Sequence, residues 1–188
     1  MGKLVYAPIC SLDGFVEDAS GSFAWAAPDD EVHQFANDLE RGIGTQLYGR
    51  SMYETMRFWQ DPPADLTPVS ADYARVWQAA DKVVFSRTLD AVSTPRTELV
   101  REFTADGVRE LKGASDRDLS VGGAGLAAEA LRAGLVDVLH VIAVPVVVGS
   151  GKPALPADVR LDLELLDVRR FGNGTVCLSY GITRHAQG

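Results

Sequence analysis

An α/β fold with a mainly parallel central sheet and an antiparallel C-terminal edge is what this chain predicts, on three observations. Short apolar runs alternate with helical patterns from Lys3 to Gly134. After Gly134 the helices stop and a long β-branched run, Val136–Val148, takes over. The chain then closes on two alternating segments, Leu161–Phe171 and Thr175–Ile182, joined across Gly172-Asn173-Gly174, which is a hairpin signal.

Each element has its own reason. Lys3–Ile9 is an apolar strand, and Ser11-Leu12-Asp13-Gly14 opens a loop reaching to about Pro28. Asp29–Arg41 reads as a helix because Val32, Phe35, Ala36 and Leu39 share one face, and Gly42 and Gly44 punctuate its end. Thr45–Tyr48 is a short buried strand, followed by Gly49-Arg50-Ser51 and a helical turn from Met52. The Pro- and Asp-rich stretch Trp59–Pro68 is a loop. Ala71–Ala80 is the next helix, and Lys82–Phe85 is a strand ending at Ser86-Arg87. Thr97–Arg101 is a further strand and Ala105–Gly113 a helix. Leu119–Val121 is a strand that meets Gly122-Gly123-Ala124-Gly125 and passes directly into the Ala/Leu-rich helix that stops near Gly134. Pro145 breaks the β-branched run, and Gly149-Ser150-Gly151 with Pro153 form a turn-rich loop. No repeat, linker or low-complexity segment divides the chain, so a single domain covers residues 1–188.

Composition narrows the function classes. A length of 188 residues allows one domain with a real core. The net charge of −8 argues against a nucleic-acid surface and against an anionic membrane surface, both of which need a basic face. Cys10 and Cys177 lie far apart in apolar runs and read as buried free thiols. No C-x-x-C or H-E-x-x-H pattern occurs, so no metal site is expected. His33 and His140 read as structural residues, since no nucleophile or metal set accompanies them. No signal peptide precedes Lys3 and no apolar run has the length of a membrane span, which fits a soluble cytoplasmic protein.

Three strand ends carry the chemistry. In open parallel sheets ligands bind beyond the carboxyl ends of the strands. Gly49-Arg50-Ser51, Ser86-Arg87-Thr88 and Gly122-Gly123 each follow a predicted strand. Glycine allows close backbone approach, and a helix N-terminus offers unpaired N–H groups to a phosphate. Arginine's planar fork suits a phosphate monoester and stacks on adenine. Two arginines beside a Gly-Gly helix start suit a dinucleotide with an extra phosphate, hence NADPH rather than NADH. The plainer reading makes each glycine pair a tight turn and each arginine a solvated surface residue. The G-x-G-x-x-G fingerprint is absent after the first strand, so a dinucleotide would be held differently.

Taken together, six segments resemble the dihydrofolate reductase superfamily, most closely the reductase domain of bacterial riboflavin biosynthesis (RibD C-terminal domain-like) and its stand-alone relatives. They are Ser11-Leu12-Asp13-Gly14, Leu47-Tyr48-Gly49-Arg50, Val84-Phe85-Ser86-Arg87, Val121-Gly122-Gly123-Ala124, Ala133-Gly134-Leu135-Val136-Asp137 and Pro145-Val146-Val147-Val148-Gly149-Ser150-Gly151-Lys152-Pro153. The resemblance implies a three-layer fold, helices on both faces of the sheet, and bound NADPH. It places Ala7 and Pro8 at the nicotinamide amide, and the Asp13-Gly14-Phe15-Val16 loop over the nicotinamide. It places Arg50 and Ser51, after Gly49, at the adenosine phosphate, Ser86 and Arg87 beside the adenine ribose, and Gly122, Gly123, Ala124, Gly125 and Leu126 at the pyrophosphate. It also implies a cis bond between Gly122 and Gly123. In relatives a strand such as Val138–Val148 helps to form a homodimer, and a long apolar edge or face left in water would be an aggregation hazard.

Trp25-Ala26-Ala27-Pro28-Asp29-Asp30 has the W-x-x-P-x-D spacing of dihydrofolate reductases around their acidic substrate residue, which puts Asp30 in the catalytic position. A protonated C=N accepts hydride more readily, and a carboxyl can supply or relay that proton. The competing reading is capping, because acids at a helix start are favoured there. Trp25, Tyr53, Phe58 and Trp59 are candidates to wall a flat-ring pocket, with packing as the alternative. Lys152 is a candidate for a substrate phosphate, with solvation as the alternative.

Two departures stand out. The deaminase H-x-E and P-C-x-x-C signature is missing, and Ala143-Val144-Pro145-Val146 lacks the polar residue of folate reductases. The reading is an NADPH-dependent reductase acting on a small heteroaromatic, imine or carbonyl substrate of pyrimidine or pterin type. The alternatives are a broad-specificity reductase outside riboflavin synthesis and a non-catalytic NADP-binding module.

Overall fold

The computed structural model describes residues 1–183. The strands are β1 (Leu4–Tyr6), β2 (Ile9–Ser11), β3 (Phe15–Asp18), β4 (Ile43–Gly49), β5 (Asp81–Phe85), β6 (Thr97–Val100), β7 (Asp118–Gly122), β8 (Val138–Val144), β9 (Gly151–Pro153), β10 (Asp162–Arg170) and β11 (Val176–Thr183). The helices are α1 (Asp30–Arg41), α2 (Arg50–Met56), α3 (Pro68–Ala79), α4 (Ala105–Ala114) and α5 (Ala124–Arg132). The main sheet runs β10-β11-β8-β1-β7-β4-β5-β6, with β2 also paired to β8. From β8 to β6 the neighbours are parallel, while β11 and β10 add an antiparallel edge. This is the predicted fold class.

Period-two alternation divides the core between two faces. Leu47 and Val83 point to one face, where they meet Leu4, Leu119, Val121 and Leu139 beneath Val108 of α4 and Ala127, Ala130 and Leu131 of α5. Their neighbours Tyr48 and Val84 point to the other, beneath Tyr53 and Met56 of α2 and Trp77 of α3. On that second face α1 sits farther along, its Val32 packed with Ile142, Phe171 and Cys177. Lys112 of α4 reaches through the first layer to the Leu135 carbonyl at 2.8 Å and to the carboxylate of Asp137, whose oxygen also accepts the Leu4 amide at 2.7 Å. That pair pins α4 to β1 at the start of β8.

Four local expectations change. The first strand is two strands, because Pro8 has no amide to donate and interrupts the run at Ala7-Pro8. The loop after Ser11 contains β3, and the glycine-rich loop after Pro145 contains β9. These two pair antiparallel into a ribbon, a partnership no local pattern reveals. Helix α3 begins at Pro68 rather than Ala71, because Thr67 caps it and proline is well suited to its first turn. The β-branched run ends as a strand at Val144, and β8 is paired on both sides, so it is no edge. Among the described residues no helix is long and apolar enough to cross a membrane.

Leu47 is fully buried between β5 and β7. Replacing it with alanine should lower the unfolding free energy by about 2–5 kcal/mol, the cost of a leucine-sized core truncation. Guanidinium titration with an unchanged m-value checks this; a loss below about 1 kcal/mol would contradict the packing described.

Candidate active site

Parallel register brings the three predicted strand ends side by side. Tyr48 of β4 is opposite Gly122 of β7, and Gly49 of β4 is opposite Phe85 of β5. Gly49-Arg50, Ser86-Arg87 and Gly122-Gly123 therefore share one edge of the sheet. The helix starts there differ from the others. Asp29 caps α1, Thr67 caps α3 and Thr104 caps α4, each through a side-chain oxygen. Helices α2 and α5 begin at Gly49 and Gly123 without a side-chain cap. Their first amides thus remain available to an outside acceptor, and the helix dipole favours that acceptor being an anion.

Both glycines of the β7 turn are required by geometry. A Cβ on Gly122 would stand 2.5 Å from the ring of Tyr48. Gly123 holds φ at 89°, a conformation that side chains resist. Among the described residues no peptide bond is cis, so the implied cis Gly122–Gly123 bond is not found. The left-handed Gly123 makes the sharp turn instead. A Cβ on Gly125 would meet nothing within 4 Å, so the first turn of α5 has an open floor.

Arg50 is exposed and bridges two strand ends. Its Nη1 donates to Thr88 Oγ1 at 3.1 Å and its Nε to Glu54 at 2.8 Å. Both members of the Glu54 pair reach solvent, at 49% and 39% exposure, so the pair is worth about 1 kcal/mol at most and yields to a stronger anion. Ser86 is buried and its hydroxyl accepts the amides of Thr88 and Leu89, shaping the loop that presents Arg87 to solvent. Ser51 is exposed in the first turn of α2. Thr88 was legible as part of Ser86-Arg87-Thr88, but its contact with Arg50 depends on the register.

The Ala7-Pro8 break lies between β1 and β2, and the Pro8 carbonyl accepts the Ile142 amide at 3.0 Å. Beyond it, Asp13 accepts the amides of Gly149 at 2.7 Å and Val148 at 3.2 Å. Hydrogen bonding from Ser11 first, then from those amides, holds the Asp13 carboxyl below its usual range. Gly14, Phe15 and Val16 follow into β3, where Glu17 pairs with Lys152 of β9 at 3.0 Å. The candidate nicotinamide loop is thus stitched to the glycine-rich loop at both ends. Lys152 and Pro153 then face Ala124, Gly125 and Ala128 of α5 across a cleft of about 460 Å³, closed farther out by Arg132 and Asp158.

The other substrate candidates do not share that cleft. Phe58 is half exposed and lines a separate cleft of about 420 Å³ with Glu54, Arg57 and Thr94. Tyr53 is buried, and its hydroxyl accepts the Ser93 amide at 2.9 Å and the Thr94 amide at 3.2 Å. It anchors that loop rather than presenting a free hydroxyl. Trp25 is partly exposed in a single 3-10 turn, its indole N–H donating to the Ser22 carbonyl at 3.0 Å. Asp30 is exposed in the first turn of α1, where the neighbouring Asp29 makes the cap to Val32. Burial lowers the His33 pKa and the charge of Asp30 opposes it, so the two lie close. His33 packs edgewise on Trp59 and tilted on Tyr73. Burial pushes the Cys10 thiol up to about 11, which keeps it unreactive. Among the described residues no group of three or more His, Cys, Asp and Glu is placed to hold a metal ion.

The RibD C-terminal domain family matches residues 3–177. Uncharacterized protein YyaP of Bacillus subtilis (strain 168) is 29% identical over 174 residues, 90% of this chain and 89% of that one. A Shewanella sp. PV-4 structure named for riboflavin biosynthesis superposes with a TM-score of 0.76 at 18% identity, covering 98% of this chain and 100% of the other. The Thermotoga maritima deaminase/5-amino-6-(5-phosphoribosylamino)uracil reductase gives a TM-score of 0.65 at 15% identity over 97% of this chain, which spans 57% of that protein.

Gly122→Ala should destabilise the protein by about 1–3 kcal/mol, as overpacking against a buried ring does. Adding Tyr48→Leu should return part of that loss in the same denaturant titration; additive losses would contradict the close approach. Asp13→Ala should raise the hydrogen-exchange rates of the Val148 and Gly149 amides, while unchanged rates would show that the carboxylate does not hold that loop.

Proposed function

The chain belongs to the RibD C-terminal domain family, and on that premise we propose that it is an NADPH-dependent reductase acting on a small heteroaromatic, imine or carbonyl substrate of pyrimidine or pterin type. One observation carries the reading: among the described residues the α-helices that start at Gly49 and Gly123 are the two α-helices without side-chain caps, and they start at neighbouring strand ends beside Arg50 and Arg87. Arg50 and Ser51 would hold the adenosine phosphate, Ser86 and Arg87 the ribose, and Gly122 to Leu126 the pyrophosphate. The backbone at Ala7 and Pro8 would orient the nicotinamide amide beneath the Asp13–Val16 loop. NADPH, when bound, supplies the hydride. The chain fixes the geometry, excludes water and supplies the matching proton.

Asp30 is the proposed proton donor. It is exposed as it stands, and a substrate seated over the start of α1 would cover it. Covering a carboxyl raises its proton affinity, which is what protonating a hydride acceptor needs. Lys152 lines the α5 cleft with Arg132 and is the proposed cation for a substrate phosphate, once released from Glu17. The substrate printed in the Thermotoga maritima enzyme's name is therefore the first to try. A cytoplasmic location fits such a reductase.

The homodimer is proposed on a sheet face, not on β8 as an edge. Leu163, Leu165 and Val168 of β10 are 40%, 55% and 53% exposed. They lie opposite Ile182, Tyr180 and Leu178 of β11, and Leu178 lies opposite Val141 of β8. A contiguous apolar face of this kind marks a protein contact.

Calorimetry should show NADPH binding more tightly than NADH. Arg50→Ala should weaken NADPH by about tenfold or more, since a hydrogen bond to a charged group is worth about 1.5–3 kcal/mol. Binding of neither nucleotide would remove the reductase reading. By light scattering the native chain should be a dimer and Leu165→Asp/Val168→Asp a folded monomer; a native monomer would remove the dimer.

A further inference from the structure

A polar chain, buried except at the partly exposed Glu40 where it ends, lies directly beneath the nucleotide turn. Trp77 of α3 donates its indole N–H to the Tyr48 hydroxyl at 3.2 Å. Tyr48 donates to Gln46 Oε1 at 3.0 Å, and Gln46 Nε2 donates to the carboxylate of Glu40 at 2.8 Å. Ser120 of β7 donates to the same Glu40 oxygen at 3.4 Å. Gln46 and Trp77 are fully buried, and Tyr48 and Ser120 nearly so. Every bond in the chain therefore points toward Glu40. At the opposite end, the Tyr48 ring is the surface on which Gly122 rests.

Glu40 is an expensive residue to keep in this place. It sits in the last turn of α1, where the helix dipole disfavours an acid. Its two partners, Gln46 and Ser120, are neutral. Burial raises its pKa and those two hydrogen bonds pull it back. Of the groups packed around it, Tyr48 of β4 and Tyr73 of α3 feel its charge. Arg41, next in the chain, is turned away to Asp72 at 2.8 Å. Arg117, ahead of β7, donates instead to the carbonyls of Arg41 and Ile43. His33 lies two turns back, against Trp59 and Tyr73.

We propose that Glu40 is a positioning residue for the nucleotide turn, its ionised carboxylate holding the Gln46–Tyr48 chain in one direction and so seating the Tyr48 ring under Gly122. The proposal rests on the NADPH reading of that turn. Protonation supplies Glu40 with a hydrogen that must find an acceptor. If Gln46 turns its carbonyl to take it, the Gln46 amide then faces Tyr48. The Tyr48 hydroxyl accepts from both Gln46 and Trp77, and its own hydrogen must leave the chain. The ring stays bonded to the same two partners, but its bond to Gln46 is reversed, so the ring reseats and the backbone at Gly122-Gly123 shifts with it.

The test has one readout without nucleotide and one with it. The Trp77 indole N–H cross-peak is assigned by elimination using Trp25→Phe and Trp59→Phe. In a scan that ends at pH 7 it should shift in a single transition, displaced upward from the usual glutamate range, in the native chain and stay fixed in Glu40→Gln, which keeps an acceptor for Gln46. The range stays below Lys82, whose ammonium lies 4.2 Å from the Trp77 ring centroid and whose pKa burial lowers to about 8. Over the same range NADP⁺ affinity should fall by about threefold to tenfold more in the native chain than in Glu40→Gln, the size of one neutral hydrogen bond. The variant also subtracts the titration of the nucleotide's own phosphate, near pH 6. A fixed Trp77 peak, or one that moves equally in Glu40→Gln, overturns the proposal. So does a moving peak with the same affinity profile in both proteins. If NADP⁺ binds neither protein, the nucleotide reading fails by itself. The coupling is then judged on the Gly122 and Gly123 amides, which must follow Trp77 in the native chain and not in Glu40→Gln.

Discussion

The approach of Gly122 to the ring of Tyr48 is the contact on which the site depends. Two parallel strands place these residues opposite one another, and only a residue without a side chain fits above that ring. Gly122 then has to be followed by a turn sharp enough to start α5 within one residue. Gly123 makes it at a φ of 89°, and a glycine cap leaves the helix start without the side-chain oxygen that Asp29, Thr67 and Thr104 supply elsewhere. One packing requirement in the core thus becomes an open, positively polarised helix end at the surface. The same register sets Gly49 beside Phe85, so the second uncapped helix start lies between the first and the Ser86-Arg87 loop.

Electrostatics at that edge run against the rest of the molecule. The chain carries a net charge of −8, yet Arg50 and Arg87 are exposed where the strands end. Arg50 is held in place by Glu54 and Thr88. An exposed ion pair of this kind is worth about 1 kcal/mol at most, whereas a charge-assisted bond to a phosphate is worth about 1.5–3 kcal/mol. Glu54 therefore keeps the guanidinium extended, and on the NADPH reading a phosphate would outcompete it. On the opposite side of α5, Asp13 and the Glu17–Lys152 pair fix two loops to one another. The resulting ribbon forms the second wall of the cleft above Gly125.

Much of this was legible in the sequence, for reasons that separate local from long-range information. Periodicity located the α-helices and the strands of the main sheet other than β2 to within a few residues, because each hides an apolar face from water. The Gly172-Asn173-Gly174 hairpin was legible because turn chemistry is local. The β3–β9 ribbon was not, since its strands are short, lie about 135 residues apart and carry no alternation of their own. The break at Ala7-Pro8 was written in Pro8 but hidden by the apolar residues on both sides. In the site, glycines and arginines after strands were readable singly. That they converge, and that Arg50 touches Thr88, depends on strand order. Tyr53 and Phe58 were readable as aromatics, but burial and loop contacts decide their roles, and these direct Tyr53 to Ser93 and Thr94.

The most direct test of the central claim is a ¹H–¹⁵N titration of the native protein with NADP⁺. The account predicts that the largest amide shifts fall on Gly49 to Ser51, Ser86 to Thr88 and Gly122 to Leu126, saturating together with a single affinity. It predicts near silence in the Glu54–Phe58 cleft and along β10. Shifts that saturate with different affinities at the three strand ends, or that centre on the Phe58 cleft, would contradict it.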